Sequence, residues 1–324
     1  MTMIGIRFDL RVPPFAEVTH AEQYAACLDM CAWADELGFD IVVLSEHHGV
    51  DDGYMSSPVT LAAAILGRTK RVAVNIAAAL IPLHDPVRLA EQLATVSLAS
   101  GGRLSLVAGL GYRQEEFDMA GVERRRRGRL LEEYVGVMQK AWSGEVFAWN
   151  GRNIRVTPKP AVPPTILVGG STEKAARRAA RLRAGFFPAV GDPELAKRYE
   201  EACAEVGFDG GFVMLPGGPG YIHVSDDPDR DWQRIGPHAL WDAQTYDSWQ
   251  TPDQGGSEVH VAAKTVADVR ASGVYAVATP DGCVELAQRH GRLIFHPLMG
   301  GLPVEFGWEG LRRFEREVLP RLRS

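Results

Sequence analysis

The sequence predicts an α/β fold, a single (β/α)8 barrel covering residues 1–324 with insertions over the mouth at the carboxyl ends of its strands. Three observations predict it. Short β-rich runs alternate with longer helical patterns along the chain. About eight strand–helix units can be counted, the number that closes such a barrel. The 324 residues would make about two domains of ordinary size, yet one α/β barrel commonly takes ~250 residues before insertions. A doubly wound parallel sheet is the runner-up.

The elements follow in order. Residues 4–10 read as a strand, and residues 21–37 have helical apolar spacing that stops at Gly38, a C-terminal cap. A buried-type strand at 41–44 precedes a helix opening at 58–66. Residues 72–78 are the third strand and 86–100 a helix with proline in its first turn; 104–109 is a strand set off by the Gly101-Gly102 turn. A long helix covers 124–142. Further strands fall at 165–168, 185–188, 212–215 and 293–296, and further helices at 172–183, 193–206 and 308–322. Two stretches break the alternation: the Gly/Pro loop at 216–220, and residues 249–279. Long connections inside a compact domain are usually functional, so both are expected over the mouth.

Composition narrows the function classes. With 46% hydrophobic and 23% charged residues, the chain falls in the globular range, which excludes disorder, collagen-like repeats and disulfide scaffolds. Lys and Arg number 35 against 41 Asp and Glu, a net charge of −6 that argues against a nucleic-acid partner. The longest apolar stretch, 72–83, is too short for a bilayer span, so no membrane is expected. Arg7, Asp9 and Arg11 break any signal-peptide core, and a cytoplasmic location is expected. Cys27, Cys31, Cys203 and Cys283 are expected to be reduced structural thiols.

Chemistry-bearing residues cluster where a barrel places its active-site loops. The second strand runs into Ser45-Glu46-His47-His48, which is either a solvated loop or a histidine aimed into a pocket. In the second case His47 is the active group and Glu46 its orienting partner or a loop anchor. Successive strand residues point to opposite faces, so His47 and His48 should not converge on one ion, and no metal is expected. Ala77 and Ala78 end the third strand, small enough for a flat ring to approach the backbone or merely for a neighbouring helix to pack. The Gly169-Gly170-Ser171-Thr172 turn opens a helix. It offers free N–H groups and a favourable dipole end to a phosphate, or else an ordinary hydroxyl cap. The Arg124–Arg127 run reads as a solvated helix start, with Arg129 and Glu133 spaced as an i,i+4 pair.

Glu46-His47-His48, Leu83-His84-Asp85-Pro86 and Gly169-Gly170-Ser171, in that order and spacing, resemble the bacterial luciferase-like flavin monooxygenases. The resemblance is clearest from 37 to 185 and resumes at 296–303. It implies a TIM-type barrel, often a homodimer, that holds reduced flavin at the strand ends. His47 would act beside the flavin ring, and a non-proline cis peptide would fall between Ala77 and Ala78. Cofactor contacts would come from Ala77, Ala78, Gly109, Tyr112, Gly169, Gly170, Ser171 and Thr172. Luciferases place an arginine near the end of the fourth strand for the phosphate. Here that strand ends Ala108-Gly109-Leu110-Gly111-Tyr112, leaving Arg113 for the role or a different binding mode.

The implied reaction uses reduced FMN, supplied by a flavin reductase, and dioxygen. The resulting C4a-peroxide oxygenates a small-molecule substrate, with Trp241, Tyr246 and Trp249 as stacking groups or as packing. The alternatives are a deazaflavin coenzyme performing hydride transfer without oxygen, and a non-catalytic flavin-binding homologue.

Overall fold

The computed structural model describes residues 2–251, 256–257 and 260–323. Strands β1 (Met3–Phe8), β2 (Ile41–Leu44), β3 (Ala73–Leu80) and β4 (Leu104–Gly109) are followed by a short hairpin of β5 (Phe147–Trp149) and β6 (Arg152–Ile154). Then come β7 (Thr165–Gly169), β8 (Gly185–Phe187), β9 (Tyr221–Val224), β10 (Tyr275–Ala278) and β11 (Arg292–Phe295). The helices are α1 (His20–Glu36), α2 (Pro58–Arg68), α3 (Pro86–Ser100), α4 (Gln114–Ala120), α5 (Arg127–Ala141), α6 (Glu173–Arg181), α7 (Pro193–Glu205), α8 (Pro228–Ser248), α9 (Val266–Ala271), α10 (Pro280–His290), α11 (Val304–Arg313) and α12 (Leu319–Arg323).

Seven strands form one parallel sheet in the order β11-β1-β2-β3-β4-β7-β8, while β9 and β10 form a separate parallel pair whose first strand packs beside β11. The order rises monotonically, and the last strand returns to the side of the first. A doubly wound sheet would instead reverse its order about an internal β1, so the runner-up is excluded. The sheet curls into a half-barrel consistent with a TIM-type barrel. Its core includes Ile6, Phe8, Val42, Leu44, Val74, Ile76, Leu106 and Phe295, all buried, with Phe295 packed against Phe39 and Phe314. Gly5 is required where β1 is squeezed between β2 and β11: a Cβ there would come within 2.6 Å of Ile41 Cγ2 and 2.8 Å of Ile294 Cδ1.

Local chemistry sets the helix ends. Thr19 and Glu22 form a reciprocal capping box on α1, and Gly38 follows its end at φ +70. Asp85 accepts hydrogen bonds from the Val87 and Arg88 N–H groups, so the His84-Asp85-Pro86 turn is the N-cap of α3 with proline at the first helical position.

Several expectations need correction. The strand expected at 212–215 is reduced to one bridge, between Phe186 and Val213. The stretch 249–279 is not simply an insertion, because it contains α9 and β10. Gly256, Ser257 and His260 from it line the large cleft described below, and the remainder, 252–255 and 258–259, lies outside the described residues. The closing helix passes through a π-helical turn at Phe314–Val318. All four cysteines are free and buried. Among the described residues no helix is long and apolar enough to cross a membrane.

Candidate active site

Two cavities open at the carboxyl ends of the strands. The larger is a cleft of about 1390 Å3, and the inner one measures about 210 Å3. They share Ala77, Ala78, Leu80, Tyr112 and Tyr246 as a common wall. The Ala77–Ala78 peptide is cis, and the β3–β4 register skips Ala78, with Ala77 opposite Val107 and Ala79 opposite Ala108. Gly109 is needed here, since a Cβ would lie 2.8 Å from Ala78 Cβ.

His47 lines the inner cavity. Its Nδ1 lies 2.7 Å from Glu116 Oε1, and its Nε2 lies 3.2 Å from Tyr112 Oη. Burial raises the Glu116 carboxyl, but the hydrogen bond and charge of His47, the His48 N–H and Arg113 outweigh it and hold the group below its ordinary value. An ionised Glu116 fixes the Nδ1–H tautomer and leaves Nε2 facing Tyr112. Burial keeps the Tyr112 phenol protonated, so its O–H is available to donate. Glu116, His47 and Tyr112 thus form a three-membered relay. Its orienting carboxylate comes from α4, an element the sequence reading did not contain.

Glu46 does not orient His47. Its Oε1 accepts from His48 Nε2 at 2.9 Å and His84 Nε2 at 2.7 Å, and its Oε2 accepts from the Leu80 N–H at 2.7 Å. Burial raises this carboxyl, yet the bonds from His48, His84 and Leu80 win and bring it to about 2. Glu46 is the loop anchor, tying the ends of β2 and β3 to the start of α3. The ligand atoms of Glu46, His48 and His84 lie within 4.8 Å of one another, metal-like spacing that adjacency along the chain did not reveal. Each of the three already satisfies another, and Leu80 takes the remaining carboxylate oxygen.

At the far end of the large cleft the Gly169–Thr172 turn meets α6. A Cβ on Gly169 would sit 3.0 Å from Val107 Cγ1, and Gly170 has φ +146 with space closed by Ala175. The Thr172 side chain is spent as the N-cap, accepting from the Ala175 N–H, and Ser171 Oγ donates to Gly256 O at 2.8 Å. What this turn offers an anion is its backbone and the helix dipole. Arg113 does not serve here: it donates to His48 O at 2.8 Å and lies 4.6 Å from the Trp249 ring centre. Instead Arg124, Arg125, Arg127, Arg129, Lys174 and Arg178 line the cleft against two carboxylates, Glu132 and Glu133. The arginine run, read as a solvated helix start, borders this cleft through Arg124, Arg125 and Arg127, while Arg125 stays largely exposed and paired with Glu123. Its position just before the helix that flanks the glycine turn was the available signal.

Of the expected stacking groups, Tyr246 lines both cavities, Trp241 donates to Asp52 Oδ2 at 3.0 Å, and Trp249 packs 4.8 Å from the His47 ring. Sequence reasoning also missed Arg7, Asp9 and Arg11. Polar residues at every second position of a strand share one face, which is the signal that finds them. Arg11 is fully buried and donates to Asp52 at 2.8 Å and Asp242 at 2.7 Å.

A curled parallel sheet with a glycine-rich, basic cleft and a histidine held between Glu116 and Tyr112 at its carboxyl ends defines an α/β half-barrel with its candidate site at the strand ends. The chain belongs to the luciferase-like monooxygenase family, whose model matches residues 7–289. It spans about half the length of the first curated relatives it matches, from Sinorhizobium fredii and mycobacteria, at 27–31% identity. It is 27% identical over 328 residues to the F420-dependent glucose-6-phosphate dehydrogenase of Microbacterium testaceum, covering 92% of this chain and 93% of that protein. Among solved structures, the monooxygenase RslO1 from Streptomyces bottropensis superposes with a TM-score of 0.77 at 23% identity, over 98% of this chain and 99% of that one. The FMN complex of the oxygenating constituent of 3,6-diketocamphane monooxygenase from Pseudomonas putida gives 0.71 at 18% identity, over 99% and 98%.

Proposed function

We propose that this protein is an oxidoreductase that takes reduced FMN into the large cleft and uses it with dioxygen to oxygenate a small organic substrate held in the inner cavity. The polarity of the cleft carries the reading. One end is narrow and apolar, at Ala77, Ala78, Leu80 and Val107; the other is glycine-floored and basic. That profile fits a flat ring system joined to a phosphate. Gly109 and Gly169 also line the cleft and add no side chain to its wall.

Reduced flavin supplies the electrons that activate dioxygen. The chain's own residues do the rest. The Gly169–Thr172 backbone and the α6 N-terminus would hold the phosphate, with Arg124 and Lys174 adding charge. Ala77, Ala78 and Gly109 leave room for the ring. His47 holds or passes a proton at Nε2, with Glu116 stabilising the charged imidazole and Tyr112 as the adjacent donor. Tyr54 and Trp249, each 4.8 Å from the His47 ring centre, keep water from it. A flavin reductase partner and a homodimer belong to the same reading.

A second reading, hydride transfer by a deazaflavin coenzyme, is favoured by two observations. One is the F420-dependent relative; the other is the basic lining of the cleft, which after the pairing of Arg178 with Glu132 and Arg125 with Glu123 still includes Arg124, Arg127, Arg129 and Lys174. Anaerobic titration of the purified protein with photoreduced FMN and, in parallel, with reduced deazaflavin separates the two. Tighter binding of reduced FMN and a transient flavin–oxygen absorbance on aeration are expected. Preference for the deazaflavin with no oxygen-dependent transient overturns the proposal in favour of hydride transfer, and binding of neither overturns both.

A further inference from the structure

The inner cavity gathers polar groups that the protein itself leaves unpartnered. Arg7 Nε, Asp9 Oδ2 and Tyr221 Oη are buried with no hydrogen-bond partner within the protein, His296 Nε2 has only Asp9 Oδ1 at 3.4 Å, and all four residues line this one space. They come from β1 and the residue just beyond it, from β9 and from the residue after β11, so three separate segments of the chain converge. Buried polar groups are satisfied in the great majority of cases, and each exception calls for an explanation. Three exceptions facing one cavity, with the His296 ring beside them, point to a ligand.

Their chemistry describes that ligand. Arg7 can only donate. Burial holds the Tyr221 phenol protonated, so it donates as well. Asp9 is a buried carboxylate beside Arg7, Arg11 and His296, and its free Oδ2 can only accept. Glu46 is taken by His48 and His84 and Asp242 by Arg11, which leaves Asp9 against Arg7 in the lining with neither sign in excess, a balance that favours a neutral ligand. The remaining walls are aromatic: Tyr54 and Tyr246, joined hydroxyl to hydroxyl at 2.7 Å, with Tyr112 and Tyr275. At about 210 Å3 the space lies below the ~300–1,000 Å3 usual for ligand pockets, which suits one ring rather than a fused polycycle.

We propose that the inner cavity is the substrate subsite and that its ligand is a neutral, planar, single-ring molecule carrying a carbonyl acceptor for Arg7 and Tyr221 and a hydroxyl donor for Asp9. Such a molecule lies against His47 on one side and across the Ala77–Ala78 wall from the cofactor cleft on the other. The inference deepens the proposed function and takes its chemistry from it, but the binding is independent of which cofactor fills the cleft.

The test is calorimetric titration of the full chain, with and without reduced FMN, using three probes of one shape. These are 3′-hydroxyacetophenone, which is neutral with donor and acceptor; acetophenone, which lacks the donor; and 3-hydroxybenzoate, which is anionic. The first is expected to bind roughly tenfold tighter than the second, with the third weakest. Tyr221→Phe removes a hydroxyl that has no protein partner, so the fold is retained, and affinity for 3′-hydroxyacetophenone falls about five- to tenfold. Equal affinities for the three probes, tightest binding of 3-hydroxybenzoate, no binding in either state, or indifference to Tyr221→Phe overturns the proposal. Reduced-FMN affinity is measured separately. If FMN fails to bind while the probe pattern holds, the monooxygenase reading falls and the subsite stands.

Discussion

Glu46→Gln tests the anchor beneath the site. The carboxyl is buried and held at about 2 in the folded protein against an ordinary 4.5. At ~1.4 kcal/mol per pH unit, that gap is a stabilisation of ~3 kcal/mol, an order-of-magnitude figure. Because the folded value is depressed, the stabilisation is fully present above pH 4.5 and is lost as pH falls from there through about 2. His48 sees the same bond from the other side. Its hydrogen bond to Glu46 raises it above 6.5, so its share is present below that value and is lost as pH rises through the raised one. With an unfolding entropy of ~2.1 cal/mol/K per residue, ~3 kcal/mol corresponds to a drop in Tm of about 4–5 °C near neutral pH. The assay is thermal unfolding of wild type and Glu46→Gln, followed by circular dichroism from about pH 3.5 to 9. The difference in Tm should be largest around pH 5–7 and shrink toward both ends. A difference that stays constant across that range refutes the linkage and reduces Glu46 to a shape-filling residue.

Glu116→Gln keeps the shape of the relay but removes the charge facing His47 Nδ1. A loss of ~1.5–3 kcal/mol lowers kcat about ten- to hundredfold while reduced-FMN affinity holds within about twofold; equal losses in both contradict the relay. Gly109→Ala drives a Cβ to 2.8 Å from Ala78 and 3.3 Å from Ala79 O. It should cost ~1–3 kcal/mol in urea unfolding and weaken flavin binding, and unchanged flavin affinity shows that the ring lies elsewhere. Arg11→Met strands Asp52 and Asp242 without their buried cation. A fall in stability of ~3–5 kcal/mol is expected, largely recovered by adding Asp52→Asn and Asp242→Asn, and an unmoved denaturation midpoint speaks against a shared network.

Most of the half-barrel was legible because its strands are continuous apolar runs with glycine or proline at their edges. Helix α3 and strand β4 fall at the residues their caps and turns specify. Strands β9 and β10 were not legible. Each has four residues, β9 emerges directly from the Gly/Pro loop, and its His223 reads as polar although it stacks 4.3 Å from the Phe306 ring in the interior. In the site, the cleft-lining glycines and His47 followed from their place after strands. Glu116 did not, because its pairing with His47 spans 69 residues and leaves no periodic trace. Nor did the convergence of His84 on Glu46. The arginines of the cleft were visible as a run, but a run of charge at a helix start carries no sign of which way it faces until the neighbouring turn is placed beside it.

The wall shared by the two cavities has an evolutionary corollary. The glycine turn and basic residues of the cleft sit on β7, α5 and α6 and the segments beside them, while the unpartnered donors and acceptors of the inner cavity sit on β1, β9 and the segments just after β1 and β11. Apart from five common residues, the two linings have no members in common. On the proposed reading, descendants of this chain can exchange one chemical appetite for another by drifting at Asp9, Tyr221 or His296 while the lining of the large cleft stays fixed. Change at Ala77, Ala78 or Tyr112 is felt in both compartments at once, and those positions should be the slowest to vary.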